Sequence, residues 1–191
     1  MDRLRWPRIL NGMKHILILS LCLFLVSTAF SQKYMTREGS VRFYSSTPIE
    51  DIEAVNGQVT GLITDEGEFA FRVPILAFRF EKALMEEHFN ENYLESTTYP
   101  NGSFEGRIAD WNQGLKDGMW HDVTATGTLN IHGVKQPRTI PSKLKWSDDA
   151  WAIESNFQIA PADHNISIPK LVRNKIAETL DVSIQAILNP R

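Results

Sequence analysis

Cysteine is almost missing from this chain. Its 191 residues hold one, Cys22, inside an apolar run near the N-terminus. Cys22 follows Leu21, where a lipidated bacterial cysteine wants a small residue, so it does not read as a lipid anchor. Beyond that segment there is no thiol, which excludes disulfides and thiol chemistry from the mechanism. Long hydrophobic runs are equally scarce. The apolar run Ile16 to Val26 covers eleven residues, whereas a hydrocarbon layer of about 30 Å takes roughly twenty. Arg3, Arg5, Arg8 and Lys14 precede that run, and the small residues Ala29 and Ser31 follow it. This order predicts a cleaved secretory leader over 1–31 and a single domain over 32–191. The expected destination is the periplasm where the host has an outer membrane, and the medium otherwise.

Basic charge is lacking too. The chain carries 20 basic and 23 acidic residues; the leader takes four basic and one acidic, leaving 16 and 22, a net charge of −6. A domain without an overall basic excess has no footprint for nucleic acid or for an anionic membrane surface. Catalytic signatures are absent as well. The sequence contains no G-x-S-x-G elbow and no G-x-G-x-x-G loop after a strand. His88, His121, His132 and His164, with Asp110, Asp122 and Asp163 as possible partners, are the candidate bases or metal ligands. No two histidines stand at H-x-H, H-x-x-H or H-x-x-x-H spacing, and Asp163-His164 are merely adjacent. No catalytic residue, metal site or cofactor is expected, with a His/Asp-based hydrolase kept as an alternative.

What the mature chain has is period-two alternation punctuated by turns. Val41 and Phe43 face opposite to Arg42 and Tyr44. Phe69, Phe71, Val73 and Ile75 alternate with Glu68, Ala70, Arg72 and Pro74. Such alternation predicts strands with one buried face. Pro74 cannot donate to a ladder, so its strand should lie at an edge or end its pairing there. Asn56-Gly57 and Gly61 interrupt another strand pattern as a turn or bulges. In Asp122 to His132, Val123, Ala125, Gly127, Leu129 and Ile131 line one face, and Thr124, Thr126, Thr128 and Asn130 the other. Further alternation runs over Trp151 to Ile159 and Leu180 to Leu188. One stretch breaks the pattern: from Phe78 to Leu94, Phe80, Leu84, His88 and Phe89 recur at helical spacing. The fold class expected is all-β with one inserted helix, an antiparallel β-barrel of about eight strands joined by short turns. An open sandwich is the alternative. Strands longer than the usual five or six residues would make a tall barrel with room for an elongated cavity.

The segment Asp122 to Pro137, DVTATGTLNIHGVKQP, resembles the strand–turn signature of YceI-like proteins, G-x-L-x-[IV]-x-G-V-x-[KQ]-x-[PV]. Glu86 to Phe89 and Tyr99 to Phe104 resemble that family's helix and its Y-P-x-x-x-F step into the next strand. Phe157 to Leu188 resembles its closing strands. The resemblance implies an exported, lipocalin-like barrel that binds a polyisoprenoid or isoprenoid-quinone type lipid in an internal channel. Under it the expected ligand is a long-chain lipid, with transient membrane contact, and no nucleic acid. Two departures stand out. Leu84 and Met85 occupy the place where many members open the helix with an Arg-Asp pair. Pro161, Asp163, His164 and Asn165 stand where many carry an Arg before an Asp-aromatic-Gly step. Both departures remove a cation that would meet a polar lipid head.

The candidate pocket wall is Phe43, Phe69, Phe71, Phe78, Phe80, Phe104, Leu129, Ile131, Phe157 and Ile184. By themselves these residues fit a solid barrel core as well as a ligand cavity; the resemblance favours the cavity. Trp111, Trp120, Trp146 and Trp151 fall near strand ends, where they either cap the core or form a patch for a protein or surface partner.

Overall fold

The computed structural model describes residues 32–191. The leader expected over 1–31, with Cys22, lies outside the described residues. Nine strands follow in order: β1 (Lys33–Ser46), β2 (Asp51–Thr64), β3 (Glu68–Pro74), β4 (Arg79–Phe80), β5 (Asn101–Ile108), β6 (Trp120–Ile131), β7 (Val134–Ser147), β8 (Ala150–Ile159) and β9 (Leu180–Pro190). One short helix, α1 (Ala83–His88), precedes a π-helical turn at Phe89–Tyr93. Eight strands close a ring in the order β1-β9-β8-β7-β6-β5-β3-β2, with β2 returning to β1. Every pairing in the ring is antiparallel. The closed eight-stranded barrel leaves no room for the open-sandwich alternative.

Alternation decides which side chains enter the barrel. In β6, Ala125 and Leu129 are buried while Thr124, Thr126 and Thr128 are exposed. In β9, Val182, Ala186 and Leu188 are buried. Asn56-Gly57 is a bulge, because β2 runs on unbroken while its register against β1 shifts between Gly39 and Val41. Asn56 is wholly buried; its amide donates to Pro74 O at 2.8 Å and its carbonyl accepts from Gln58 N at 2.8 Å. Gly61 sits opposite Phe71 in the ladder, and a side chain there would collide with the Phe71 ring.

The stretch expected to form one helical face divides instead. β3 pairs with β2 only from Phe69 to Arg72 and then separates from it. The uncovered part of β2 takes β4 as its partner, Ala54 opposite Phe80 and Val55 opposite Arg79. An edge with free N–H and C=O groups holds Phe80 extended against its helical spacing. Leu84 points outward, 61% exposed. The strand expected to reach Ile75 also stops at Pro74. Ile75 opens a 3₁₀ turn and donates its N–H to Pro100 O at 2.9 Å.

The two ends of the barrel differ. At one end stand the turn 47–50, the hairpin turn at His132-Gly133, and two long connections, 75–100 and 160–179. Apart from the insertion over Phe78 to Leu94, the sequence predicts short turns between strands, and the 160–179 connection corrects that. The first joins β3 to β5 and the second joins β8 to β9, pairs that lie directly across the ring from each other. Both therefore roof the same opening from opposite sides. His132 and Gly133 take φ of 53° and 73°, the tight turn a two-residue hairpin requires. The other end has only short links at 65–67 and 148–149, and the loop 109–119.

Candidate functional site: an apolar column along the barrel axis

The inward faces leave space in three sections. At the roofed end is a cavity of about 350 Å³, lined by both long connections: Phe80 to Leu94 from one, Pro161, Ile166, Ile168, Val172 and Ile176 from the other. It reaches solvent past the exposed side chains of Lys82, Leu84, His88 and Lys175. Below it lies a cavity of about 150 Å³ walled almost entirely by apolar atoms. Phe43, Phe89, Leu94, Pro161, Ile166 and Leu180 line both, so the two adjoin. A third, of about 50 Å³, lies deeper and shares Phe71, Phe104, Phe157 and Ile184 with the second.

Aromatic packing shapes the walls. Phe43 touches Phe78, Phe80 and Phe89 at ring separations of 5.5, 5.6 and 5.5 Å. Phe69 and Phe104 stand 4.9 Å apart lower down. Polar groups in the interior are few. Ser142 and Ser155, both buried, satisfy each other at 2.6 Å beside the deepest space.

Charge gathers at the mouth. Lys82 donates to Glu50 at 2.7 Å. That bond holds the Glu50 carboxyl below its ordinary range and raises Lys82 above its own. Lys175 and His88 line the same mouth.

The far end is closed. Trp151 is wholly buried, with Trp111 at 4.9 Å and Trp146 at 5.0 Å. Trp111 donates its indole N–H to Asp65 O at 2.7 Å. Lys116 lies 4.4 Å from the Trp146 ring centre and donates to the Tyr34 hydroxyl at 3.3 Å. Three of the four tryptophans among the described residues therefore form a floor, and Trp120 stands apart, 45% exposed.

All ten residues expected as pocket wall border this column. Phe80 and Phe43 border the mouth; Phe43, Phe71, Phe78, Phe104, Leu129, Ile131, Phe157 and Ile184 border the middle; Phe69 borders the deepest part. The sequence reading missed the contribution of Ile166, Ile168, Val172 and Ile176. The available signal was a connection rich in branched apolar residues with no strand to serve. The histidine side chains do not gather at one site; His132 reaches His164 only at its backbone, with Nδ1 at 3.2 Å from His164 O. His121 meets Asp117 at 2.7 Å and His132 meets Glu95 at 2.8 Å. His164 is wholly buried, with Nδ1 at 3.4 Å from Val134 O, and burial lowers its pKa. Among the described residues no group of three or more His, Asp or Glu is placed to hold a metal ion.

The YceI-like domain profile matches residues 33–188. No match is found among the curated proteins. Among solved structures, the chain is similar to a polyisoprenoid binding domain from Saccharophagus degradans implicated in plant cell wall breakdown, with 17% identity and a TM-score of 0.71 over 85% of this chain and 100% of that one. Burkholderia cenocepacia BcnA aligns at 14% identity and a TM-score of 0.66, over 78% and 95%. Campylobacter jejuni YCEI protein aligns at 13% identity and 0.56, over 70% and 82%. At these identities the likeness is one of fold.

Proposed function

The chain belongs to the YceI-like family, and from that premise we propose that it is an exported carrier holding a long-chain apolar lipid, of polyisoprenoid or isoprenoid-quinone type, in the barrel interior. The observation that carries this reading is the column itself: aromatic walls, a tryptophan floor and a roofed mouth. The ligand named for the Saccharophagus degradans neighbour supports the lipid class.

The physics suits reversible carriage. A buried methylene gains about 0.8 kcal/mol over water, so a free isoprenoid tail in water is strongly disfavoured. Transfer from a bilayer into an equally apolar channel is nearly neutral. Pickup and release then need neither an energy source nor a catalytic group, in keeping with a binding protein rather than an enzyme. The tail enters through the mouth and the head stays there, beside Lys82, Lys175 and His88. Those side chains offset the two cations that the sequence lacks at the family's usual positions. Phe71, Phe104 and Phe157 stand between the middle and deep spaces and line both. The site of action on this reading is the periplasm or the medium.

The test is equilibrium binding of a polyprenyl alcohol and of a soluble quinone headgroup to delipidated protein. Saturable one-to-one uptake of the polyprenyl chain supports the carrier. Uptake of neither, or of the headgroup alone, overturns it.

A further inference from the structure

Large apolar side chains exposed on the described surface are few, and the most exposed of them is Leu171, at 89%. It stands on the roof connection 160–179. Val172 N–H donates to Pro169 O at 3.1 Å and Lys175 N–H to Val172 O at 2.9 Å. The first of these turns puts Lys170 and Leu171 at its tip, and the second carries Arg173. Lys170, Arg173 and Lys175 bring three cations to this tip, in a domain whose net charge is −6. Among the described residues none of the three forms an ion pair. The neighbours of Leu171 face the other way. Ile168, Val172 and Ile176 line the mouth cavity, and the connection is tied down by Ala177 N–H donating to Ser45 Oγ at 2.9 Å.

We propose that the 168–175 tip is a membrane-docking element that seats the mouth on an anionic lipid surface, with Leu171 in the interface and Lys170, Arg173 and Lys175 against the headgroups. An exposed leucine among cations matches the chemistry of an anionic bilayer surface. The carboxylates of α1, Glu86 and Glu87, and Glu81 before it, stand on the opposite connection. They tilt the contact toward the 160–179 side. Docking there brings the cavity wall itself to the bilayer, so a tail passes from lipid to barrel without crossing water. The inference rests on the carrier reading for its purpose, and its test is separate.

The experiment is flotation of the protein, produced from the full chain, with vesicles of equimolar phosphatidylglycerol and phosphatidylcholine, and with phosphatidylcholine alone. The parent binds the anionic vesicles and releases them at high salt. Lys170→Gln with Arg173→Gln weakens binding about thirtyfold, at about 1 kcal/mol per cation and 1.4 kcal/mol per decade. Leu171→Ser weakens it about tenfold. Ile187→Ser, an exposed position on the outer face of β9 at 62%, changes nothing. Equal binding by parent and tip variants overturns the proposal. So does a parent that ignores anionic vesicles, which would direct the tip toward an acidic protein instead. Lipid found inside the purified variants would uphold the carrier while docking fails; docking by an empty protein would do the reverse.

Discussion

Replacing Leu129 with tryptophan separates a channel from a packed core. Leu129 is 6% exposed and borders the middle cavity of about 150 Å³. In a solid core an indole in place of the isobutyl group forces its neighbours off their rotamers, at about 1–3 kcal/mol. For a domain of this size each kcal/mol moves Tm by roughly 2–4 °C, so a solid core predicts a fall of about 2–12 °C. In a channel the indole enters existing space, and the fall stays below about 2 °C. Lipid retention suffers instead. Denying the middle section to about four tail carbons removes about 3 kcal/mol of burial relative to water, about two decades in retention against an aqueous wash. The assay pairs lipid-to-protein ratio by mass spectrometry with thermal unfolding of the delipidated protein. A variant that keeps parental loading, or that unfolds some 10 °C lower while the parent carries nothing, refutes the channel.

Other perturbations test the floor and the roof. Trp151→Ala removes the centre of the floor, a wholly buried indole between Trp111 and Trp146. It should cost about 3–5 kcal/mol in urea unfolding, and a loss below about 1 kcal/mol would mean the floor bears no load. Asn56→Ala removes two part-buried hydrogen bonds, to Pro74 O and from Gln58 N–H, each worth about 0.5–1.5 kcal/mol; an unchanged urea midpoint contradicts that role. Burial holds His164 neutral by lowering its pKa. The unfolded imidazole takes a proton near 6.5 while the folded one resists, so this group's stability is present above about pH 6.5 and is lost as pH falls toward the folded value. Urea midpoints followed down through that window should fall less in His164→Gln than in the parent, and parallel curves would remove His164 from the account.

The barrel was legible in the sequence because period two is a local signal. Thr124, Thr126 and Thr128 against Ala125 and Leu129 declare one wet and one dry face without any knowledge of neighbours. Most of the wall residues follow from the same alternation; Phe78 and Phe80, in the stretch of helical spacing, do not. The insertion was less legible, since two local preferences compete there. Phe80 has helical spacing from Leu84, yet the part of β2 before Thr60 lacks β3 as a partner and takes Phe80 into β4. Sequence spacing does not show where two strands separate. The 160–179 connection carries no period-two signal, and its regular structure is confined to two 3₁₀ turns, Pro161–His164 and Arg173–Lys175. Its part in the site depends on lying across the ring from 75–100, a fact of topology. The tryptophans were placed correctly near strand ends, but which end, and that three of them stack together, depended on closure of the ring.

The most direct test of the carrier account is mass spectrometry of organic extracts from the protein purified without detergent from an exporting bacterium. The account predicts a long-chain isoprenoid or quinone at close to one per protein, reduced in Leu129→Trp. A stable, folded protein that yields no lipid from the parent chain contradicts it.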